Sequence, residues 1–173
     1  MKYRTHTCNQ LTKKDLGKKV ILSGWNNSRR DHGGLIFIDL RDRYGLTQLA
    51  FDPNHNKKAH EEAEHLSRED VITVEGKVRS RPEGMTNKKL PTGEVEILID
   101  KITIFSKAET PPIEIDDRVE ANEDMRLKYR YLDLRRPKMI KQLDFRNKCV
   151  IAARDFFHKN NFIEIGNKIN ASH

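Results

Sequence analysis

The sequence predicts a mainly β fold: a five-stranded barrel with a short helix between strands 3 and 4, followed by a connector and a long C-terminal helix. Three observations predict it. Two short β-type runs, Leu35–Leu40 and Leu46–Phe51, are separated by a polar turn that ends in Gly45. Two more runs, Val71–Ser80 and Glu94–Phe105, flank a loop, Arg81–Gly93, with two prolines and two glycines. Between these pairs the apolar period changes to that of a helix.

Taken in order, Thr12-Lys-Lys-Asp15 reads as a capping box and one helical turn before Gly17. Lys18–Asn27 reads as a strand through Val20, Ile21, Leu22 and Trp25, with Gly24 marking a bulge or sharp bend. After the His32-Gly33-Gly34 turn, Ile36, Ile38 and Leu40 share one face of a strand, and Leu35, Phe37 and Asp39 the other. Ala59, Ala63 and Leu66 fall at helical spacing within Asn56–Leu66, with Asn54 or Asn56 as N-cap. Ile72, Val74, Gly76 and Val78 share a face of the fourth strand. In the fifth, Val95, Ile97 and Ile99 point inward, opposite Glu94, Glu96 and Leu98. Three strands, a helix and two strands is the order of an OB-fold, which binds oligonucleotides on its second and third strands. An SH3-like barrel usually lacks a helix of this length at that point.

Ala108–Asn122, with Pro111-Pro112 and the acidic residues Glu114, Asp116, Asp117 and Glu120, reads as an extended connector. Helical spacing resumes at Glu123, with Leu127, Tyr131 and Leu134 on one side, and Pro137 interrupts it. Lys138–Asn160 is the longest helix, with Met139, Leu143, Val150, Ala153 and Phe157 as its stripe. Phe162–Ile165 is expected as a short strand, and Gly166–His173 carry no readable pattern. The expected domains are 1–107, 108–137 and 138–173.

With 34% charged and 36% hydrophobic residues, the 173-residue chain has a small core and a heavily solvated surface. Its net charge of +7, mostly carried by the first 107 residues, suggests a polyanionic partner. Cys8 and Cys149 give neither a disulfide framework nor zinc spacing. No run approaches a membrane span or a signal peptide, so a cytoplasmic, reducing setting is expected. His60 and His65 are five apart, which rotates them by roughly 140° on a helix. No metal site is predicted there. Phosphate loops, nucleophile elbows and dinucleotide fingerprints are absent from the sequence.

The candidate site is a nucleic-acid face. Arg29 and Arg30 precede the strand that carries Phe37, and a ring beside guanidinium groups suits a single-stranded base and its phosphate. The alternative is a Phe closing the end of the core. Arg79 and Arg81 face one way, near Glu96 on the next strand. A carboxylate can accept guanine's N–H donors, and Gln48 can donate and accept as uracil requires. The alternative for Glu96 is a surface salt bridge to Arg79 or Arg81, of small worth. Asp42 and Asp52 read as turn residues.

Five segments together resemble the N-terminal part of bacterial-type aspartyl-tRNA synthetases: Leu22–Trp25, Arg29–Arg43, Arg79–Gly84, Leu90–Glu96 and Arg126–Pro137. The resemblance spans about residues 1–165. It implies an OB-fold that grips the anticodon loop of an aspartate tRNA, with Phe37 stacking on a base and Gln48 and Glu96 reading bases. It also implies that Arg29, Arg30, Arg79, Arg81 and Asn87 hold the loop and its backbone. Ser28 stands where the family usually has the first of three arginines. Lys138–Ile165 resembles the opening of the class II catalytic domain, with Gly166-Asn-Lys168 in place of the usual Glu-Thr-Pro. The later catalytic motifs are absent, so this chain is expected to bind tRNA without catalysis and to need no cofactor. ATP and magnesium belong to a complete family member. In the family, Lys138–Ile165 lies at the dimer interface, so this helix is expected to pair with another chain or to be partly disordered. The asparagine-specific relative and a free-standing single-strand-binding OB protein are the other readings.

Overall fold

The computed structural model describes residues 3–88 and 90–166. The chain divides into two compact units, Met1–Pro111 and Pro112–His173, and the division falls between the two connector prolines.

The first unit is a closed barrel of β1 (Lys19–His32), β2 (Leu35–Arg41), β3 (Leu46–Phe51), β4 (Val71–Ser80) and β5 (Val95–Ser106), in the order β1-β2-β3-β5-β4. The last strand lies between β3 and β4, parallel to the first and antiparallel to the second. β1 serves two neighbours, pairing with β4 over Lys19–Trp25 and with β2 over Trp25–His32. It runs five residues beyond the predicted strand because Asn26–His32 are polar and show no alternation. A β-bulge between Asn26 and Ser28 re-phases the strand. Gly24 is not that bulge. It is a close approach, where a Cβ would run into the carbonyl oxygen of Arg41.

Ile36, Ile38 and Leu40 point inward as expected and join Leu22, Leu49 and Ile97 in one buried core. α1 (Lys57–Glu64) packs Ala59 and Ala63 into the same core. Asn56 caps it, its side chain accepting the Ala59 N–H at 3.0 Å. Thr12 and Asp15 form the capping box around a single 3-10 turn, Lys13–Asp15. Cys8 is buried, and its N–H donates to Asp42, which also accepts the N–H groups of Tyr44 and Gly45 in the β2–β3 turn. Burial and the Asp42 carboxylate push the Cys8 thiol well above its usual range. Both cysteines are free.

Gly76 sits at a register shift between β4 and β5, and a Cβ there would run into the Leu98 carbonyl oxygen. Gly76→Ala should cost about 1–3 kcal/mol by forcing two paired backbones apart. The midpoint of urea unfolding checks this.

The second unit holds α2 (Glu123–Lys128), α3 (Arg130–Asp133) and α4 (Pro137–Lys159). Its connector is not purely extended chain: Ile113 and Ile115 pack with Leu132, flanked by Ala121, Met125 and Tyr129. The predicted face of Leu127 and Tyr131 is exposed instead. The break at Tyr129, between α2 and α3, turns Met125 and Leu132 inward in its place. Asp133 is fully buried beside three arginines: Arg126 at 2.9 Å, Arg130 at 2.6 Å and Arg136 at 3.8 Å. The hydrogen bond from Arg126 holds its carboxyl below the usual range.

α4 begins with Pro137 in its first turn and is unbroken to Lys159. None of its residues is buried. Leu143 is 42% exposed and Phe157 51% exposed. Phe162–Ile165 is not a strand, for it has no partner strand among the described residues. It follows Asn161, whose φ is +63°, and it lies along the last turns of α4. There Phe162 meets the Phe157 ring at 5.6 Å and Glu164 pairs with Arg154 at 2.8 Å. Residues 167–173, including the Asn-Lys of the predicted departure, lie outside the described residues.

Candidate nucleic-acid interface

The outer face of the barrel is built by register. Ser28 pairs with Asp39, Asp39 with Gln48, and Glu96 with Arg79. The parallel pair Leu49 and Ile97 sets Gln48 beside Glu96. Five polar residues from five strands therefore form one row. The next row holds Arg30, Phe37, Ala50, Leu98 and Lys77. Phe37 is half-buried on this outer face, so it does not close the core.

Hydrogen bonds run along the polar row. Ser28 Oγ donates to Asp39 at 2.8 Å, and one Arg30 nitrogen donates to Asp39 at 2.9 Å and to Gln48 Oε1 at 3.3 Å. Gln48 Nε2 donates to Glu96 Oε2 at 2.8 Å, and Arg79 Nε donates to Glu96 Oε1 at 2.8 Å. The carboxylate-to-arginine pair expected as an alternative role for Glu96 is present. It is not a surface pair: Glu96 is 1% exposed and Gln48 9% exposed. A buried carboxylate is stable here because both oxygens are engaged. A carboxylate offers about four lone-pair sites, so two remain for an incoming donor.

Arg81 adds an unsatisfied cation. Its Nε donates to the Val95 carbonyl at 3.2 Å, while one terminal nitrogen is buried without a hydrogen-bond partner among the described residues. Burial lowers the pKa of this guanidinium, opposed by the charges of Glu96 and Asp39. Asn87 lies in the β4–β5 loop, where its backbone exchanges hydrogen bonds with Leu90 and Gly93. Thr92 ties the end of that loop to the Leu46 carbonyl at 2.7 Å.

Arg29 is not brought to this face. It pairs with Ile38, and strand alternation sets it on the side opposite Arg30 and Phe37. The sequence reading missed Asp39 as a member of the row. Its alternation with Phe37 was visible, but its contact with Gln48 depends on register. His60 is taken up by packing, with its Nε2 at 2.9 Å from the Gly34 carbonyl oxygen. Asp42 and Asp52 accept backbone N–H groups in turns, as expected.

A five-stranded barrel of this order, with a row of hydrogen-bonding groups beside an aromatic ring, defines an OB-fold nucleic-acid-binding domain. Residues 20–105 match the family model of that description, and residues 122–167 match the model of the class II tRNA synthetases (D, K and N). The aspartate–tRNA(Asp/Asn) ligase of Protochlamydia amoebophila is 54% identical over 96% of this chain and 28% of that protein. The corresponding ligase of Dictyoglomus turgidum is 53% identical over 94% of this chain and 27% of that protein. The crystal structure of asparaginyl-tRNA synthetase from Pyrococcus horikoshii superposes with a TM-score of 0.81 at 27% identity, covering 95% of this chain and 37% of that one. The chain belongs to the aspartyl-tRNA synthetase family, in which it corresponds to the anticodon-binding OB domain and the start of the class II domain. It spans under a third of the length of the curated relatives it matches.

Proposed function

We propose that this chain binds the anticodon loop of an aspartate tRNA on the outer face of the barrel. Phe37 stacks a base, Gln48 and Glu96 read base edges, Arg81 and Asn87 hold the loop, and Arg30 and Arg79 flank it while each is paired with a carboxylate, Asp39 and Glu96. Arg29 contributes charge from the neighbouring face. The observation that carries the reading is Glu96. Its two oxygens take hydrogen bonds from Gln48 and Arg79 and keep acceptor capacity in the middle of the row, which suits recognition of guanine's N–H edge.

Ligation of aspartate to tRNA, with ATP and magnesium, is proposed of a whole family member and not of this chain alone. A cytoplasmic setting follows from that role. Among the described residues, no helix is long and apolar enough to cross a membrane. The proposal includes pairing with a second copy through Lys138–Ile165, which would cover the exposed stripe on α4.

Binding is tested by titrating RNA stem-loops into the chain. A stem-loop with the aspartate anticodon should bind more tightly than one with an unrelated anticodon. Phe37→Ala should weaken both by about 1–2 kcal/mol, because stacking serves any base. Equal affinity of the unsubstituted chain for all loops would favour the general single-strand binder instead.

A further inference from the structure

The amide of Gln48 is held from both ends by groups that leave it no choice of orientation. Glu96 can only accept, so the amide nitrogen must face it. Arg30 can only donate, so the amide oxygen must face Arg30. Both contacts are present, at 2.8 Å and 3.3 Å. What keeps Arg30 there is Asp39, 2.9 Å from the same guanidinium nitrogen. Asp39 is in turn fixed through its other oxygen by the Ser28 hydroxyl at 2.8 Å. Without that carboxylate, a half-exposed arginine on a long stem would be free to turn towards any phosphate in reach.

We infer that Asp39 is a positioning residue for base recognition: it holds Arg30 against Gln48 and so fixes the hydrogen-bonding pattern offered to the base that Gln48 reads. Asp39 touches no base itself. The row is arranged as a relay in which Ser28 orients Asp39, Asp39 restrains Arg30, and Arg30 occupies one lone pair of Gln48. Gln48 is then left with one N–H and one lone pair to present in a fixed order: for uracil they meet O4 and N3–H, and for cytosine held in the same place they meet donor with donor and acceptor with acceptor. The inference rests on the proposal that this face receives an anticodon loop.

The test uses Asp39→Asn in the full chain. An asparagine keeps the shape and the acceptor for Ser28, but it has no charge and only one oxygen. Two stem-loops that differ only in the middle anticodon letter, uracil or cytosine, are titrated at several salt concentrations. The preference for uracil should fall about tenfold, the loss expected for one hydrogen bond to a charged group. Affinity for the cytosine loop should hold or rise. The slope of log affinity against log salt should steepen by about 0.7, as the freed Arg30 takes up a phosphate. Arg30→Gln removes the same link from its other side. It should lose the same preference without steepening the slope. A third arm tests coupling: once Gln48→Ala is present, Asp39→Asn should remove no further preference.

An equal loss for both loops with an unchanged slope would overturn the inference and leave Asp39 as an ordinary surface pair. Failure of the underlying proposal looks different. It appears in the unsubstituted chain as equal affinity for the two loops, and it removes this inference as well.

Discussion

Glu96→Gln should lower affinity for a loop whose anticodon begins with guanine by about 2–3 kcal/mol, roughly 30- to 150-fold. The same substitution should leave a loop beginning with adenine at or above its original affinity. Both effects follow from the row. In the native chain both oxygens of Glu96 accept, from Gln48 and from Arg79, and under the proposed function the remaining lone pairs take the donors of the base. An amide supplies one acceptor and turns its N–H2 towards one of those donors. The charge-assisted contact to guanine's N–H edge is lost. Arg79, no longer paired with a charge, becomes available to phosphate and strengthens general attraction. Adenine presents a donor beside an acceptor, which an amide can match. Titration of the two stem-loops at fixed salt reads both effects. A parallel shift of the two loops would reduce Glu96 to a structural charge.

Asp133→Asn should destabilise the second unit by about 3 kcal/mol. Removing one partner from a buried ionic cluster leaves the others uncompensated, and the usual cost is about 3–5 kcal/mol. The lower end applies because Arg126 and Arg130 are partly exposed and can turn towards water. The pH dependence has a definite sign. The folded-state pKa of Asp133 is depressed by the Arg126 hydrogen bond. Its contribution is therefore complete above the unfolded carboxylate value, about 3.9, and is lost as pH falls through the folded value. Acid unfolding of the native chain followed by helix signal should show this loss, and the Asp133→Asn variant should lack it. An unchanged acid transition in the variant would mean that the three arginines are held by other contacts.

The strands of the barrel were legible because their signal is local. Ile36, Ile38 and Leu40 alternate with Phe37 and Asp39, and Asn56 stands one residue before α1. The second half of β1 was not legible. Asn26–His32 lack an apolar face, and the bulge that turns Ser28 and Arg30 outward leaves no mark in composition. The faces of Gln48 and Glu96 could be read from alternation. Their contact and burial could not, because these depend on pairing between residues 48 positions apart. Arg29 shows the same limit: adjacency to Arg30 suggested a shared role, and register separates the two. In the second unit the periodicity was real but its phase was wrong, since the break at Tyr129 is not announced by glycine or proline. Phe162–Ile165 has the composition of a strand, and composition says nothing about whether a neighbour is there to pair with it.

The position of β5 between β3 and β4 has a consequence for the order in which the chain can be made. The strand that joins β3 to β4 in the ring is the last of the five to leave the ribosome, and it carries Glu96. Until it emerges, β3 and β4 have no shared neighbour and the ring stays open. Phe37 and Gln48 are then already synthesised, on a sheet whose edge at β3 is unpaired and able to join another nascent chain. At about 5–20 residues per second, the interval between completing β3 and completing β5 lasts several seconds. During that time the polypeptide is exposed to self-association on the ribosome, and it acquires its recognition surface only when the final strand slots in.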